Sequence, residues 1–267
     1  MRISLGRYIP GKSLFHKADP RSKIIWTIVM MVFILLCTTR WQYLMATVFV
    51  MIVFLISGIP LKYILKSLRP VAVLMIITTV FNLVFYKGTT VLFAIGSFNV
   101  YREALFLSIK MILRIFMLIV SASLLTYTTT SVAITDGIEY LLRPLAIIKF
   151  PAHEIAMMMS IALRFIPMFA DETDKIIKAQ SSRGAEFDSK NVFKKIKSYV
   201  PVLIPLFVGA FKSAEDMSVA MESRCYRGGK GRTKFKVLKF TKYDLILLII
   251  TAVFCTGVIL MKTVFKI

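Results

Sequence analysis

The chain has 267 residues, is 57% hydrophobic and carries a formal net charge of +21, with a mean hydropathy of +0.75. Soluble domains are roughly half apolar, so this much apolar surface cannot be hidden in one soluble core and the composition is that of an integral membrane protein. Cys37, Cys225 and Cys255 are odd in number and widely separated, which supports neither a disulfide framework nor a zinc site, and His16 and His153 are too few and too far apart to suggest a metal centre.

In chain order, a basic segment precedes the first apolar run, which therefore reads as a retained membrane span rather than a cleaved signal. Within that segment Asp19 is placed to cap a helix whose first residue is Pro20, since a proline there loses no intrahelical hydrogen bond. Arg21 and Lys23 are then expected at the headgroup level. Five spans are predicted, over about residues 24–39, 43–59, 71–86, 104–127 and 243–261. Some fall short of the roughly 20 residues a bilayer needs, and Trp41, Tyr43 and Tyr86 would complete them at the interface. Residues 91–98 are too few to cross and read as an extracellular or re-entrant hairpin. Lys110 and Arg114 lie four apart inside the fourth span, where cations are costly and mark either function or a protein-facing or snorkelling position.

Charge orients these spans. Arg2, Arg7, Lys12, Lys17, Arg21 and Lys23 precede the first, only Arg40 follows it, and Lys62, Lys66 and Arg69 follow the second. The positive-inside rule puts the N-terminus in the cytoplasm of a multi-pass protein of the cell membrane, and five spans put the C-terminus outside. The expected organisation is a membrane region over 1–127, a cytoplasmic coupling region over 128–242 and a last span within 243–267. The middle region holds 19 of the 35 Lys and Arg residues and 11 of the 14 acids. Its basicity is explained by topology and anionic lipid without a nucleic-acid partner.

That region is itself apolar in pattern. Helices are predicted over 131–148 and 152–180, separated by Pro151, with a kink at Pro167; a third, over about 191–226, would be broken or bent by Pro201 and Pro205. Such helices lie against a membrane or other chains. Met157, Met158, Met159 and Met168 give the second a pliable face suited to exchangeable partners, although core filling explains any one of them equally well.

One pattern occurs twice at an offset of 41 residues, Ala179-Gln180-Ser181-Ser182-Arg183 and Ala220-Met221-Glu222-Ser223-Arg224, each with an acid, Asp174 or Glu215, nine residues before its arginine. On a helix Ile176, Ala179 and Arg183 share a face, as do Met217, Ala220 and Arg224. Each copy combines an apolar contact, a small residue and a long cation at the tip. That shape suits a groove on another protein. The alternative is that both arginines complement the negative ends of their helices, with Gly184 and Gly228 as stops. Catalytic chemistry is thin: residues 227–233 lack phosphate-loop spacing, and the acids Asp171, Glu172 and Asp174 are read as partners of Lys175 and Lys178. An integral-membrane enzyme remains the competing class.

The stretch Gly6-x-Tyr8-Ile9-Pro10-Gly11-x-Ser13-x-x-His16-x-x-Asp19-Pro20-Arg21-x-Lys23, followed by Leu163-Arg164-Phe165-Ile166-Pro167 and Gln180-x-x-Arg183-Gly184, resembles the transmembrane scaffold, or T component, of energy-coupling factor transporters. The resemblance spans nearly the whole chain. It implies an all-α membrane fold of about five spans plus long amphipathic cytoplasmic coupling helices. It also implies two ABC-type ATPases docked by Ser182-Arg183-Gly184 and Ser223-Arg224-Cys225, where serine replaces the alanine usual in that family. Ile176, Ala179, Met217 and Ala220 would support that docking face. A substrate-binding membrane subunit, exchangeable in some systems, would meet Met158, Phe165 and Phe169, and its vitamin or metal cargo would be released inside. The chain itself would hold no cofactor, ATP and Mg belonging to the ATPases.

Overall fold

The computed structural model describes residues 8–265 apart from 12, 87, 96–97, 149, 186, 188–190 and 229–239. Arg2, Gly6, Arg7, Lys12 and residues 229–233, used above, lie outside that set. The chain divides into two compact units, described separately: Gly6–Ile138 with Leu238–Ile267, and Glu139–Val237.

The first unit contains α1 (Leu14–Lys17), α2 (Pro20–Leu36), α3 (Arg40–Ser57), α4 (Leu61–Phe85), a hairpin of β1 (Val91–Ile95) and β2 (Phe98–Tyr101), α5 (Arg102–Thr128), most of α6 (Ser131–Leu142) and the last helix, α9 (Lys242–Phe265). Helix α5 is the hub, packing on α2, α3 and α4. Trp26, Met30 and Ile34 repeat every fourth residue on α2, and Met117, Val120 and Leu124 follow three-and-four spacing on α5; with Val50 of α3 all are fully buried. Ile28, Val32 and Leu35 on the other face of α2 are exposed, as befits side chains that face lipid. Phe254 of α9 stacks on Phe49 at 4.1 Å and meets Phe33 edge-on at 5.8 Å, which seats the last helix against α2 and α3.

One end of this unit is a buried polar knot. Asp19 caps α2 as the sequence predicts, its Oδ1 accepting from Arg21 N at 2.9 Å ahead of Pro20. Asp244, at the start of α9 and 1% exposed, accepts from the backbone N–H groups of Asp19 and Thr241, each at 2.6 Å, and from the Ser22 hydroxyl. Arg21 and Lys23 are buried inside protein: Lys23 Nζ donates to the carbonyls of His16 (3.2 Å) and Thr128 (3.3 Å), and Arg21 lies over the Phe240 ring. The carbonyls of His16 and of Thr128 at the end of α5, and the Asp19 carboxylate 3.8 Å from Arg21, replace water these cations would otherwise require. The loop before α1 docks here too, through Ile9 N to Tyr127 O at 2.9 Å. His16 locks it, with Nε2 donating to the Ile9 carbonyl at 3.0 Å and Nδ1 accepting from the Ser13 hydroxyl at 2.6 Å. A Cβ on Gly11 would stand 2.6 Å from the His16 ring, which explains glycine at that position.

At the opposite end, Lys110 Nζ donates to Thr38 O (3.2 Å), and Arg114 donates to Cys37 O (3.0 Å) and to the Tyr43 hydroxyl. The two span cations therefore face protein, completing the carbonyl end of α2 where the helix dipole favours positive charge. The hairpin sits at this end, its strands antiparallel with Ile95 opposite Phe98, in agreement with the short non-crossing element expected over 91–98.

The second unit holds a 3₁₀ segment (Arg143–Ile148), α7 (Ala152–Ser182) and α8 (Val192–Ser223), with α7 packed on α8. His153 Nδ1 lies 3.1 Å from Glu139 Oε1, a pairing not evident from the sequence. Both helices run through their prolines, Pro167 within α7 and Pro201 and Pro205 within α8, so of the break or bend expected in the third coupling helix the break is absent. Neighbouring turns hold the helix through each missing N–H.

Among the described residues six helices are long and apolar enough to cross a membrane: α3, α4, α5, α7, α8 and α9. Helix α2, predicted as a span, has 17 residues and falls just outside that length. Helices α7 and α8, predicted as coupling helices, qualify because each joins an apolar half to a charged half. Helix α4 begins ten residues before the predicted span at 71 and carries Lys62, Lys66 and Arg69 on its first turns.

Candidate functional site

The duplicated motif forms two equivalent helix ends. Arg183 is the C-cap of α7 (φ −92°, ψ 8°) and Arg224 that of α8 (φ −91°, ψ 14°). The next residue is left-handed in both, Gly184 at φ 87° and Cys225 at φ 55°. Gly184 N donates to Ser181 O (3.0 Å) and Ala185 N to Gln180 O (3.0 Å); Cys225 N donates to Glu222 O (2.8 Å) and Tyr226 N to Met221 O (3.0 Å). These paired bonds are the Schellman closure, which satisfies carbonyls left over at a helix end. The stop for the second helix is therefore Cys225, not Gly228, which lies three residues beyond. A β-carbon in this conformation is disfavoured, so the backbone favours glycine at the third position, which Gly184 meets and Cys225 does not.

Ser182 Oγ donates to Lys178 O and Ser223 Oγ to Ala220 O, each at 3.1 Å, so both hydroxyls are used within their own helices. Arg183 and Arg224 are exposed, and among the described residues no carboxylate lies within 4 Å of either guanidinium. Ile176, Met217 and Ala220 are half-buried and Ala179 is exposed. On α7, Met158 is 60% exposed, and Phe165 and Phe169 are half-buried with ring centroids 5.7 Å apart. On α8 the apolar face is wider, with Phe207, Val208 and Phe211 all exposed. Sequence periodicity located these positions but missed the left-handed geometry of Cys225, although aligning the two motif copies sets it opposite Gly184.

Among the described residues no group of three His, Cys, Asp or Glu side chains could hold a metal ion. Of the acids near Asp171, Glu172 pairs with Lys175 at 3.6 Å on the surface.

The family described as "CbiQ: Cobalt transport protein" matches residues 11–235. The "Energy-coupling factor transporter transmembrane protein EcfT" of Ruminiclostridium cellulolyticum is 55% identical, covering 98% of this chain and 98% of its own length. Those of Thermosediminibacter oceani (48%; 97% and 98%) and Bacillus subtilis (43%; 90% and 91%) are similar over nearly their whole lengths. The chain belongs to the EcfT family. It is a multi-pass membrane protein and the non-catalytic energy-coupling subunit of an ECF transporter, linking the ATPase activity of ABC-type partners to reorientation of a substrate-binding S component.

Proposed function

We propose that the two matched helix ends are the docking tips of this subunit, with Ser182-Arg183-Gly184 and Ser223-Arg224-Cys225 each entering an acidic groove on one of two ABC ATPases. The observation that carries this is the pair of equivalent C-caps, each presenting an exposed arginine with no acidic partner among the described residues. An arginine that served only to cap its helix would interact chiefly with local carbonyls. A planar guanidinium fork gives a directional grip on a carboxylate, where lysine offers a point charge. Ile176, Ala179, Met217 and Ala220 form the adjoining contact face. As the ATPases close on ATP and reopen, α7 and α8 move with their tips, and the face containing Met158, Phe165 and Phe169 passes that motion to the S component, whose cargo is a micronutrient of the vitamin or metal class.

In this reading the N-terminus is cytoplasmic, residues 1–127 and 243–267 are the membrane regions, and residues 128–242 are the cytoplasmic coupling region. The support is that the starts of α2 and α9 and the end of α5 meet at one end of the first unit, where the basic connections also lie. Single cysteines introduced at Ser189 and Ile267 should label from opposite sides of the membrane; labelling from one side refutes the arrangement.

The docking test uses Arg183→Glu, Arg224→Glu and the double variant, read by ATPase co-purification and ATP-driven uptake. Loss of a helix-capping charge alone would weaken the fold by about 0.3–1 kcal/mol and leave assembly intact. Reversing a charge in a desolvated groove costs about 2–5 kcal/mol, so the double variant should release the ATPases. The lysine variants should assemble yet couple poorly. Wild-type assembly of the double glutamate variant ends the proposal.

A further inference from the structure

The end of the first unit that carries the hairpin holds a cavity of about 460 Å³ lined by Arg40, Tyr86, Thr90, Arg102, Phe106 and Lys110, together with Glu103 and Leu107. Three cations therefore converge at the end of the bundle where the chain is otherwise poor in positive charge. Arg40 lies 4.1 Å and Arg102 5.5 Å from the centre of the same Phe106 ring, so both guanidinium groups are held against one aromatic side chain. Among the described residues no carboxylate comes within 4 Å of Arg40, Arg102 or Lys110. The one acid lining the cavity, Glu103, accepts through Oε1 from the hydroxyls of Thr89 (2.8 Å) and Thr90 (3.0 Å), while its buried Oε2 has no hydrogen-bond partner among the described residues. The formal balance of the lining is thus positive, which favours an anionic occupant.

We propose that this cavity binds a phosphate group, and that its ordinary occupant is the headgroup phosphate of a membrane phospholipid. Guanidinium forks and an ammonium donate charge-assisted hydrogen bonds to the non-bridging oxygens of a phosphodiester. The surroundings favour a lipid over free phosphate. Trp41 and Tyr86, exposed beside the cavity, are the residues that settle at a membrane–water interface. Phe81, Phe85, Leu105 and Ile109 on α4 and α5 are exposed and apolar, lying on the same two helices within the span. A headgroup held by Arg40, Arg102 and Lys110 would bridge α3 and α5 and tie the hairpin to the bundle. This site does not depend on the docking role of Arg183 and Arg224.

The test is native mass spectrometry of the intact transporter complex in detergent, titrated with phosphatidylglycerol, with diacylglycerol as the uncharged control and inorganic phosphate as competitor. Wild type should retain phosphatidylglycerol over diacylglycerol, and R40Q/R102Q should bind it at least about tenfold more weakly, since each arginine supplies charge-assisted hydrogen bonds. K62Q/K66Q, which removes two exposed cations at the other end of the same unit, should bind as wild type does. Insensitivity to millimolar phosphate identifies the lipid as the occupant; competition by phosphate at the same arginines supports the site but makes free phosphate the occupant. Arg102→Gln alone, at an exposed side chain, carries the comparison if the double variant fails to fold. Equal lipid retention by wild type and the arginine variants, or equal retention of diacylglycerol, overturns the proposal.

Discussion

Replacing Asp244 by asparagine keeps the size of the side chain and removes one charge from the end of the first unit where α2, α5 and α9 meet. Asp244 accepts from Asp19 N, Thr241 N and the Ser22 hydroxyl while 1% exposed. The ammonium of Lys23, itself 2% exposed, is hydrogen-bonded to two backbone carbonyls, and the negative charges acting on it are Asp244 and Asp19. Asparagine would retain one acceptor oxygen but turn an amide N–H toward donors, and it would leave Lys23 with half of its counter-charge. Breaking a buried charge pair by removing one partner typically costs about 3–5 kcal/mol. Alanine would go further, because three donors would each lose their acceptor at about 1–3 kcal/mol apiece. Against a total stability on the order of 5–15 kcal/mol, the alanine variant should fail to accumulate and the asparagine variant should melt well below wild type in detergent. Adding Lys23→Met to Asp244→Asn should recover part of the loss, since the uncompensated cation is then gone, and the four proteins form a double-mutant cycle. An Asp244→Asn protein that melts with wild type would refute the reasoning, as would additive effects of the two substitutions.

Other expectations follow from the caps and the N-terminal loop. Cys225→Gly should stabilise the chain by about 0.5–1 kcal/mol, the left-handed strain of a β-carbon less the added freedom of glycine when unfolded, with ATPase assembly unchanged; a lower melting temperature would count against the Schellman assignment. Gly184→Ala should do the reverse, losing about 0.5–1 kcal/mol by the same balance, as read by the same melting assay. Burial, aided by the nearby Lys23 charge, lowers the His16 pKa from its ordinary 6.5 despite the opposing bond to the Ile9 carbonyl. The unfolded chain then binds more protons than the folded one just below pH 6.5, so stability should be full above that pH and fall as the pH drops through and below it. His16→Gln should flatten that part of the melting profile, and an unchanged profile would show that another group governs it.

Much of this protein was open to inspection in one dimension because membrane insertion and helix capping are local or compositional effects. A mean hydropathy of +0.75 and alternating basic connections dictate a multi-pass chain without reference to any contact. The Asp19-Pro20 start of α2 and the helical faces ending in Arg183 and Arg224 depend only on residues a few positions apart. Helix limits were less accessible. Composition marks where a chain enters lipid, whereas hydrogen bonding decides where a helix begins, and so α4 starts at Leu61 with three exposed cations ahead of its apolar run. Prolines at 201 and 205 suggested a break or bend, and α8 runs through them without a break. The fates of Arg21, Lys23, Lys110 and Arg114 belonged wholly to the tertiary structure, since a cation in a membrane protein can snorkel to water or find a carbonyl, and only the position of distant segments chooses between these. Asp244 is the clearest case: nothing near it in the sequence distinguishes it from an interfacial carboxylate, and it becomes the acceptor at the start of α2 because the fold carries α9 across more than two hundred residues to meet Asp19.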